Sequence, residues 1–367
     1  MSEGLIDKGH DIHIVTYHLK DENIPLNERL IIHRTPDIHI YKKKSPGPSI
    51  NKIFIDILLT FKLFYIVRKY KIELIHAHHI EGLFSALIVG KILKIPIIYD
   101  AHTSVSEELV DYGWVKEDSI LQKLINNIEM KLANFSQRII VVSNELKEKF
   151  VKFGISSNKI SVIPTGVNFE FFKNADGTNL RNKLGLKTEK IIMYTGTFAP
   201  YQGLEYLLRA MKIVGNMRKN VKLIIVGDSS DEEFKSLSKE LGIYHLTFFV
   251  GEVPFTEIPH FLDMADVVVL PRPKCWGFPQ KLSNYMAAGK PIVVFEGSAK
   301  GVFHLKNGYV AKNGDVTSLA RGIELLLDDK ELAKKMSEEA RKTAEKKLNW
   351  KNLIGDLEYI YFNELKN

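Results

Sequence analysis

Unbroken aliphatic runs alternate with longer segments of helical period along this 367-residue chain, and that alternation restricts its folds more than any other feature. Val267-Val-Val-Leu270 and Ile191-Ile-Met-Tyr194 leave no polar side on the pleat, so such strands are buried on both faces. A sheet buried on both faces needs helices above and below it, which means parallel strands joined by helical crossovers. Strands are predicted at 11–16, 30–35, 74–77, 95–99, 138–142 and 159–163, then at 190–195, 221–226, 246–250, 267–270, 291–294 and 308–310. Helices are predicted at 50–70, 81–91, 120–134, 204–215, 231–241, 316–328 and 330–347. The class is α/β, and the order and length fit two doubly wound, Rossmann-like domains. Turn formers at Asn174-Ala-Asp-Gly-Thr-Asn179 separate the two strand series. The expected division is a first domain at 1–168, a linker at 169–189, a second domain at 190–347, and a final helix at 348–367 returning to the first domain.

The chain opens on what reads as the end of a helix, closed by Gly9. A doubly wound domain ordinarily begins with a central strand and a tight turn. Its loss would leave two neighbouring strands with unpaired backbone groups, so the natural polypeptide is expected to extend upstream of Met1.

With 45% hydrophobic and 26% charged residues, the composition is that of a folded protein and excludes disordered or collagen-like chains. One cysteine, Cys275, excludes an internal disulfide framework and a thiolate zinc cluster, and points to a reducing, cytoplasmic compartment. The apolar stretch 53–67 is broken by Asp56 and Lys62 and is too short to span a bilayer. A net charge of +7 suits contact with phosphates or acidic surfaces, and no nucleic-acid partner is read from it. The excess is concentrated: residues 41–95 hold ten Lys/Arg, among them Lys42, Lys43, Lys44 and Lys62, against three acids. Beside so many apolar residues this stretch suits peripheral contact with an anionic membrane at its inner face. The alternative is a helix whose apolar side packs on its own sheet, and that alternative is favoured for the apolar residues.

The segment from Trp276 to Val294 is the richest in chemistry. It joins two buried strands through a turn containing Gly277 and Pro279 and a helix ended by Gly289. Free amides at that helix N-terminus suit an anion, although an ordinary crossover reads similarly. Here the chain resembles the retaining glycosyltransferases of family four, two-domain enzymes of the GT-B fold. Their signature, Glu-Gly-Phe-Gly, four residues, Glu, then Ala-x-Ala-x-Gly-x-Pro-Val, is matched at Gly277, Phe278, Ala287, Gly289 and Pro291. Lys8-Gly-His-Asp-Ile-His-Ile-Val-Thr16, Val162-Ile-Pro-Thr-Gly-Val-Asn168, Tyr194-Thr-Gly-Thr-Phe198 and Leu223-Ile-Ile-Val-Gly-Asp228 extend the likeness over nearly the whole chain.

The resemblance implies two domains facing across a cleft. It further implies transfer of a sugar from a nucleotide-diphosphate donor to a hydroxyl of a glycan or lipid-linked acceptor, in cell-surface polysaccharide or glycolipid synthesis. The departures are informative. The signature carboxylates fall on Trp276 and Asn284, and the family's loop cations fall on Thr197 and Gln202. Asn284 can still bond a ribose diol, whereas Trp276 offers a flat face for a sugar. Lys281 in the first helical turn is unfavourable beside the dipole unless an anion is present. It is therefore the preferred diphosphate partner, with Arg272 beside it and with Gly196, Thr197, Gln202, Gly277 and Phe278 lining the same site.

Nine of the twelve histidines precede Thr103. The resemblance places a sugar-contacting, catalytic histidine at His102 and acceptor-side residues at His78 and His79, with Glu107 and Glu108 following on the same loop. His76, His78 and His79 also suggest metal ligands. No carboxylate pattern accompanies them and adjacent strand side chains point to opposite faces, so no metal and no cofactor is expected. A sugar-nucleotide epimerase of similar fold and a catalytically silent binding protein are the rival readings.

Overall fold

The computed structural model describes residues 1–19, 29–37, 52–228 and 231–366. Lys42, Lys43, Lys44 and the first two residues of the helix expected at 50–70 lie outside them. The chain forms two compact units, Met1–Pro164 with Trp350–Asn367, and Thr165–Asn349.

In the first unit the order is α1 (Ser2–Asp7), β1 (Ile12–Thr16), β2 (Leu30–Arg34), α2 (Lys52–Tyr70), β3 (Ile75–His78) and α3 (His79–Leu93). There follow β4 (Ile97–Ala101), α4 (Val105–Asp111), α5 (Ile120–Asn134), β5 (Arg138–Val141), α6 (Asn144–Lys152) and β6 (Ile160–Val162). All pairings are parallel, but β1 and β2 form one sheet and β3-β4-β5-β6 another. A cavity of about 610 Å³ is lined by both edges, with His13 and Val15 from β1 and Ile75 and Ala77 from β3. These two edges do not pair with each other among the described residues.

The second unit comprises α7 (Glu170–Lys173), α8 (Thr178–Lys183), β7 (Lys190–Thr195), α9 (Leu204–Met217), β8 (Val221–Val226), α10 (Glu232–Glu240) and β9 (Thr247–Gly251). It continues with α11 (Ile258–Asp263), β10 (Val267–Leu270), α12 (Gln280–Ala287), β11 (Ile292–Phe295), β12 (Tyr309–Ala311), α13 (Val316–Asp328) and α14 (Lys330–Lys347). The six strands run in the order β12-β11-β10-β7-β8-β9. Alternate residues of the same strand feed opposite cores. Ile192, Tyr194, Leu223, Ile225, Val267 and Val269 face α9 and α13, whereas Ile191, Met193, Ile224, Val268 and Leu270 face α12 and α14. This two-sided burial is why the runs carry no polar alternation. Chain order reverses between β7 and β10, and ligands of such sheets bind outside the carboxyl ends of the strands at that reversal.

Residues 169–189 pack rather than link: Phe172 and Leu186 are buried in the second unit's core. Leu348 is buried there too, so the returning helix, α15 (Trp350–Lys366), starts two residues later than expected. Its Leu353, Ile354, Leu357 and Ile360 close on Leu5, Ile98, Ile140 and Ile163 of the first unit. Ile354→Ala is expected to cost the first unit about 2–4 kcal/mol by cavity formation. Urea unfolding followed by circular dichroism measures this, and an unchanged midpoint would show that α15 contributes nothing to that core.

Candidate active site

The reversal between β7 and β10 brings two loops together. Gly203, with φ of +73°, lies so close to the loop after β10 that an added Cβ would meet the Pro271 carbonyl oxygen at 2.1 Å. Gly196, just past β7, has φ of +131°, and its missing Cβ leaves room for Lys281, whose Nζ such an atom would approach to 2.4 Å. A side chain at either position would be strained as well as obstructive.

Lys281 is partly buried in the first turn of α12, its ammonium enclosed by the β7 loop. Nζ donates to Tyr194 Oη at 2.8 Å and Gln202 Oε1 at 2.9 Å, and lies 4.2 Å from the Tyr194 ring centroid. Tyr194 Oη in turn donates to the Thr197 carbonyl at 2.6 Å. Loss of water around the ammonium, with repulsion from Arg272 second, lowers the Lys281 pKa to about 7. Among the described residues no carboxylate pairs with it at salt-bridge distance. Arg272 stacks over Tyr201 with its Cζ 4.6 Å from the ring centroid, and its Nε donates to the Lys274 carbonyl at 2.7 Å. Lys274 lies over the Trp276 ring at 4.6 Å.

Pro279 caps α12, whose opening amides at Gln280 and Lys281 precede any intrahelical acceptor. The positive helix end and two further cations therefore converge at the mouth of the sheet, an arrangement complementary to a polyanion. Asn284, one turn along and buried, accepts a long bond of 3.4 Å from Gln280 Nε2. Tyr285 Oη accepts from the Thr195 amide at 2.9 Å, fixing α12 to the end of β7, and burial raises its pKa to about 12.

In the first unit, parallel register sets His78 opposite Asp100 at the ends of β3 and β4. The Asp100 carboxylate is buried, with Oδ2 at 3.1 Å from His76 Nε2, 3.5 Å from His78 Nδ1 and 3.6 Å from His102 Nε2. His78 Nδ1 and His102 Nε2 are 2.9 Å apart, and His79 stacks on His102 at 4.8 Å from a left-handed backbone with φ of +58°. On the far side His76 Nδ1 is bonded to the Tyr361 hydroxyl of α15. Burial alone would raise the Asp100 pKa, but the His76 hydrogen bond and the surrounding imidazoles outweigh it and hold the group at about 2. Desolvation of its crowded nitrogens, then the neighbouring rings, push His78 down to about 3, although one edge of the ring is open to solvent.

The same unit carries an apolar surface. In α2, Ile55, Leu59, Ile66 and Val67 pack inward, as expected, whereas Phe54, Ile57, Phe61 and Tyr65 face solvent, Phe61 at 70% exposure. Phe84, Ile88 and Ile92 of α3 are exposed, as are Ile120, Leu121, Leu124 and Ile128 of α5, and α3 packs against both α2 and α5. Among the described residues no helix is long and apolar enough to cross a membrane.

The chain matches two family descriptions in succession, Glycosyltransferase Family 4 over residues 1–171 and Glycosyl transferases group 1 over residues 176–343. This protein is a glycosyltransferase, of Family 4 type in its first half and of group 1 type in its second. An uncharacterized glycosyltransferase of Methanocaldococcus jannaschii is 28% identical, over 98% of this chain and 92% of its own. The lipopolysaccharide 1,2-N-acetylglucosaminetransferase of Salmonella typhimurium is also 28% identical, over 66% of this chain and 67% of its own. Among solved structures, Anabaena HepE in complex with UDP superposes with a TM-score of 0.76 at 17% identity, covering 96% of this chain and 100% of HepE.

Within this glycosyltransferase the fold gathers Gly196, Thr197, Gln202, Arg272, Gly277 and Lys281 around one loop pair, with Trp276 beside them and Asn284 a turn deeper. Two placements differ from the sequence expectation, those of the Gly196 amide and of Glu107. The Gly196 amide, expected to face phosphate, already donates to the Val226 carbonyl at 2.9 Å, so the residue serves by admitting Lys281. The Phe278 ring packs on the apolar core, leaving only its backbone for a ligand. Glu107, expected as an acceptor-side loop residue, is buried on α4 in an ion pair with Lys149 at 2.6 Å. His78, His79 and His102 do meet, and His76, weighed in the sequence only as a metal ligand, joins them; sequence reasoning missed Asp100 and Tyr361. The signal was the strand-end spacing of Ile75-His-Ala-His78 against Tyr99-Asp100, which speaks only once the register is known.

Between about pH 7 and the ordinary lysine value of 10.5, unfolded Lys281 holds a proton that the folded residue has released. The unfolded chain binds more protons there, so stability without ligand rises with pH across that window. Lys281→Met should flatten the rise in denaturation midpoints measured from pH 7 to 10. An identical slope in the variant would remove the enclosed-ammonium reading.

Proposed function

We propose that this glycosyltransferase moves a hexose-type sugar, with retained anomeric configuration, from a nucleotide-diphosphate sugar to a hydroxyl of a glycan or lipid-linked acceptor. The observation that carries the reading is Lys281, an enclosed ammonium at the mouth of the sheet with no carboxylate at salt-bridge distance among the described residues. A diphosphate supplies the missing charge, and the relative solved with UDP supports a uridine donor. Lys281, Arg272, the opening amides of α12 and the Gly277–Phe278 backbone face the diphosphate. Thr197, Gln202 and Tyr194 hold the cation in place, Asn284 bonds ribose, and Trp276 gives the sugar a flat apolar platform. His102 contacts the transferred sugar, and His78 and His79 lie on the acceptor side.

The anomeric C–O bond to the diphosphate breaks with its electron pair leaving on phosphate, and a new C–O bond forms to the acceptor oxygen. The acceptor proton passes to the departing phosphate oxygen. A carboxylate is missing at position 276, so this front-face course suits the residues better than a double displacement. Rate enhancement comes from positioning and from stabilising the departing anion. The relative that acts on lipopolysaccharide supports a role in cell-surface glycan synthesis. The exposed apolar face of α2, α3 and α5, flanked by lysines such as Lys62 and Lys123, suits docking on the anionic cytoplasmic leaflet.

Calorimetry with UDP, GDP and ADP, then turnover with a panel of nucleotide sugars and acceptors, tests the reading. Lys281→Met should weaken diphosphate binding at least tenfold, about 1.4 kcal/mol. In the wild type, affinity should fall as pH rises from 7 to 9, because the cation that binds the anion is being lost. His102→Ala should cut turnover by about a hundredfold with nucleotide affinity kept. No affinity for any of the three nucleotides would end the proposal.

Membrane docking is tested separately by co-sedimentation with anionic vesicles. The double change Ile57→Ser and Phe61→Ser should reduce the bound fraction at least fivefold, and equal binding by both proteins would exclude this face.

A further inference from the structure

We propose that Asp100, His78 and His102 form a binding site for one divalent transition-metal ion of the zinc class. The site is separate from the diphosphate residues, which all belong to the second unit; it shares His78 and His102 with the sugar- and acceptor-side roles proposed above.

The donor geometry comes first. Asp100 Oδ2, His78 Nδ1 and His102 Nε2 form a triangle with sides of 3.5, 3.6 and 2.9 Å. The point equidistant from its corners is about 1.9 Å from each atom, and zinc–nitrogen and zinc–oxygen bonds are about 2.0–2.2 Å long. An ion slightly above that plane therefore reaches all three donors without moving any of them.

The chemistry of the donors agrees. Two imidazoles and one carboxylate suit zinc, cobalt, nickel or iron(II), whereas calcium and magnesium prefer oxygen shells. For both nitrogens to ligate, His78 carries its proton on Nε2 and His102 on Nδ1, so metal entry replaces the ring-to-ring hydrogen bond.

The electrostatics call for a cation. Asp100 is buried and, among the described residues, its ion-pair partners are only histidines; no lysine or arginine reaches it. Its second oxygen, Oδ1, is buried with no hydrogen-bond partner among the described residues. An unneutralised buried carboxylate is costly, and a divalent ion removes that cost.

A supporting shell is present as well. His76, stacked on His78 at 4.6 Å, approaches the same carboxylate oxygen at 3.1 Å through Nε2 and is bonded to Tyr361 through Nδ1, the kind of contact that orients a metal-binding carboxylate. His76, His78 and Asp100 offer donor atoms that all lie within 4.8 Å of one another, so His76 is placed to join the ligand set. The His78 and His102 side chains retain 41% and 35% exposure, which leaves the ion a route in and open coordination positions toward solvent. The sequence argued against a metal because no carboxylate accompanied the histidines; parallel pairing of β3 with β4 supplies one.

The untagged full chain, stripped with chelator and dialysed, is titrated with Co²⁺ while visible absorption is recorded. Bound metal is counted by mass spectrometry. One equivalent with ligand-field bands is expected, displaced by Zn²⁺. His78→Ala and Asp100→Asn should each weaken Co²⁺ at least tenfold, whereas His13→Ala, which breaks the separate His13–His33 pair at 2.9 Å, should change nothing. Asp100 is buried and its variant could misfold, so circular dichroism accompanies each protein and the partly exposed His78 provides the independent variant. Absence of stoichiometric Co²⁺ in the wild type, or equal binding by wild type and His78→Ala, overturns the proposal. UDP calorimetry on the same samples reads the nucleotide site by itself, so the two proposals fail separately.

Discussion

Burial of the β-strands on both faces is the constraint from which the rest follows. A strand such as Val267–Leu270 offers no polar edge to water, so it is stable only between two layers of helices. Helices on both sides require crossovers in both directions, and the direction must reverse somewhere in the sheet. In the second unit it reverses between β7 and β10. Two loops diverge there and leave a space between them at the carboxyl ends of the strands. The site is thus a consequence of how the apolar residues are buried.

At that reversal the protein holds a lysine under conditions that oppose its charge. Lys281 is enclosed, lies close to Arg272, and stands at the positive end of a helix. Each of these lowers its proton affinity, and each is relieved by a polyanion. Tyr194 and Gln202 hold the ammonium without neutralising it. The same economy appears around Asp100, a buried carboxylate surrounded by imidazoles rather than by lysine or arginine. Both centres keep a charge in place that nearby protein groups do not cancel, one positive and one negative.

All twelve strand positions and the long helices were legible in the sequence, because aliphatic runs and helical periodicity reflect burial that each segment must satisfy wherever it sits. Helices at 316–328 and 330–347 coincide with prediction to the residue, and in the structure aspartate caps at Asp315 and Asp329 fix their starts. The expected linker at 169–189 was misjudged for an equally physical reason. Its turn formers describe local backbone, while the burial of Phe172 and Leu186 depends on partners distant in sequence. The α2 face was misjudged in part for the same reason: periodicity shows that a face is apolar but not whether another element covers it.

The sequence by itself determined that parallel, helix-covered strands form in two successive series, that a helix N-terminus follows β10, and that Lys281 stands in its first turn. These are local matters of spacing, capping and apolar runs. Only the tertiary structure decided that Gly196 makes room for Lys281, that the Gly196 amide is already engaged, and that Asp100 lies among three histidines. Those facts depend on strand register and on which loops are brought together, and register is fixed by the joint packing of residues far apart along the chain.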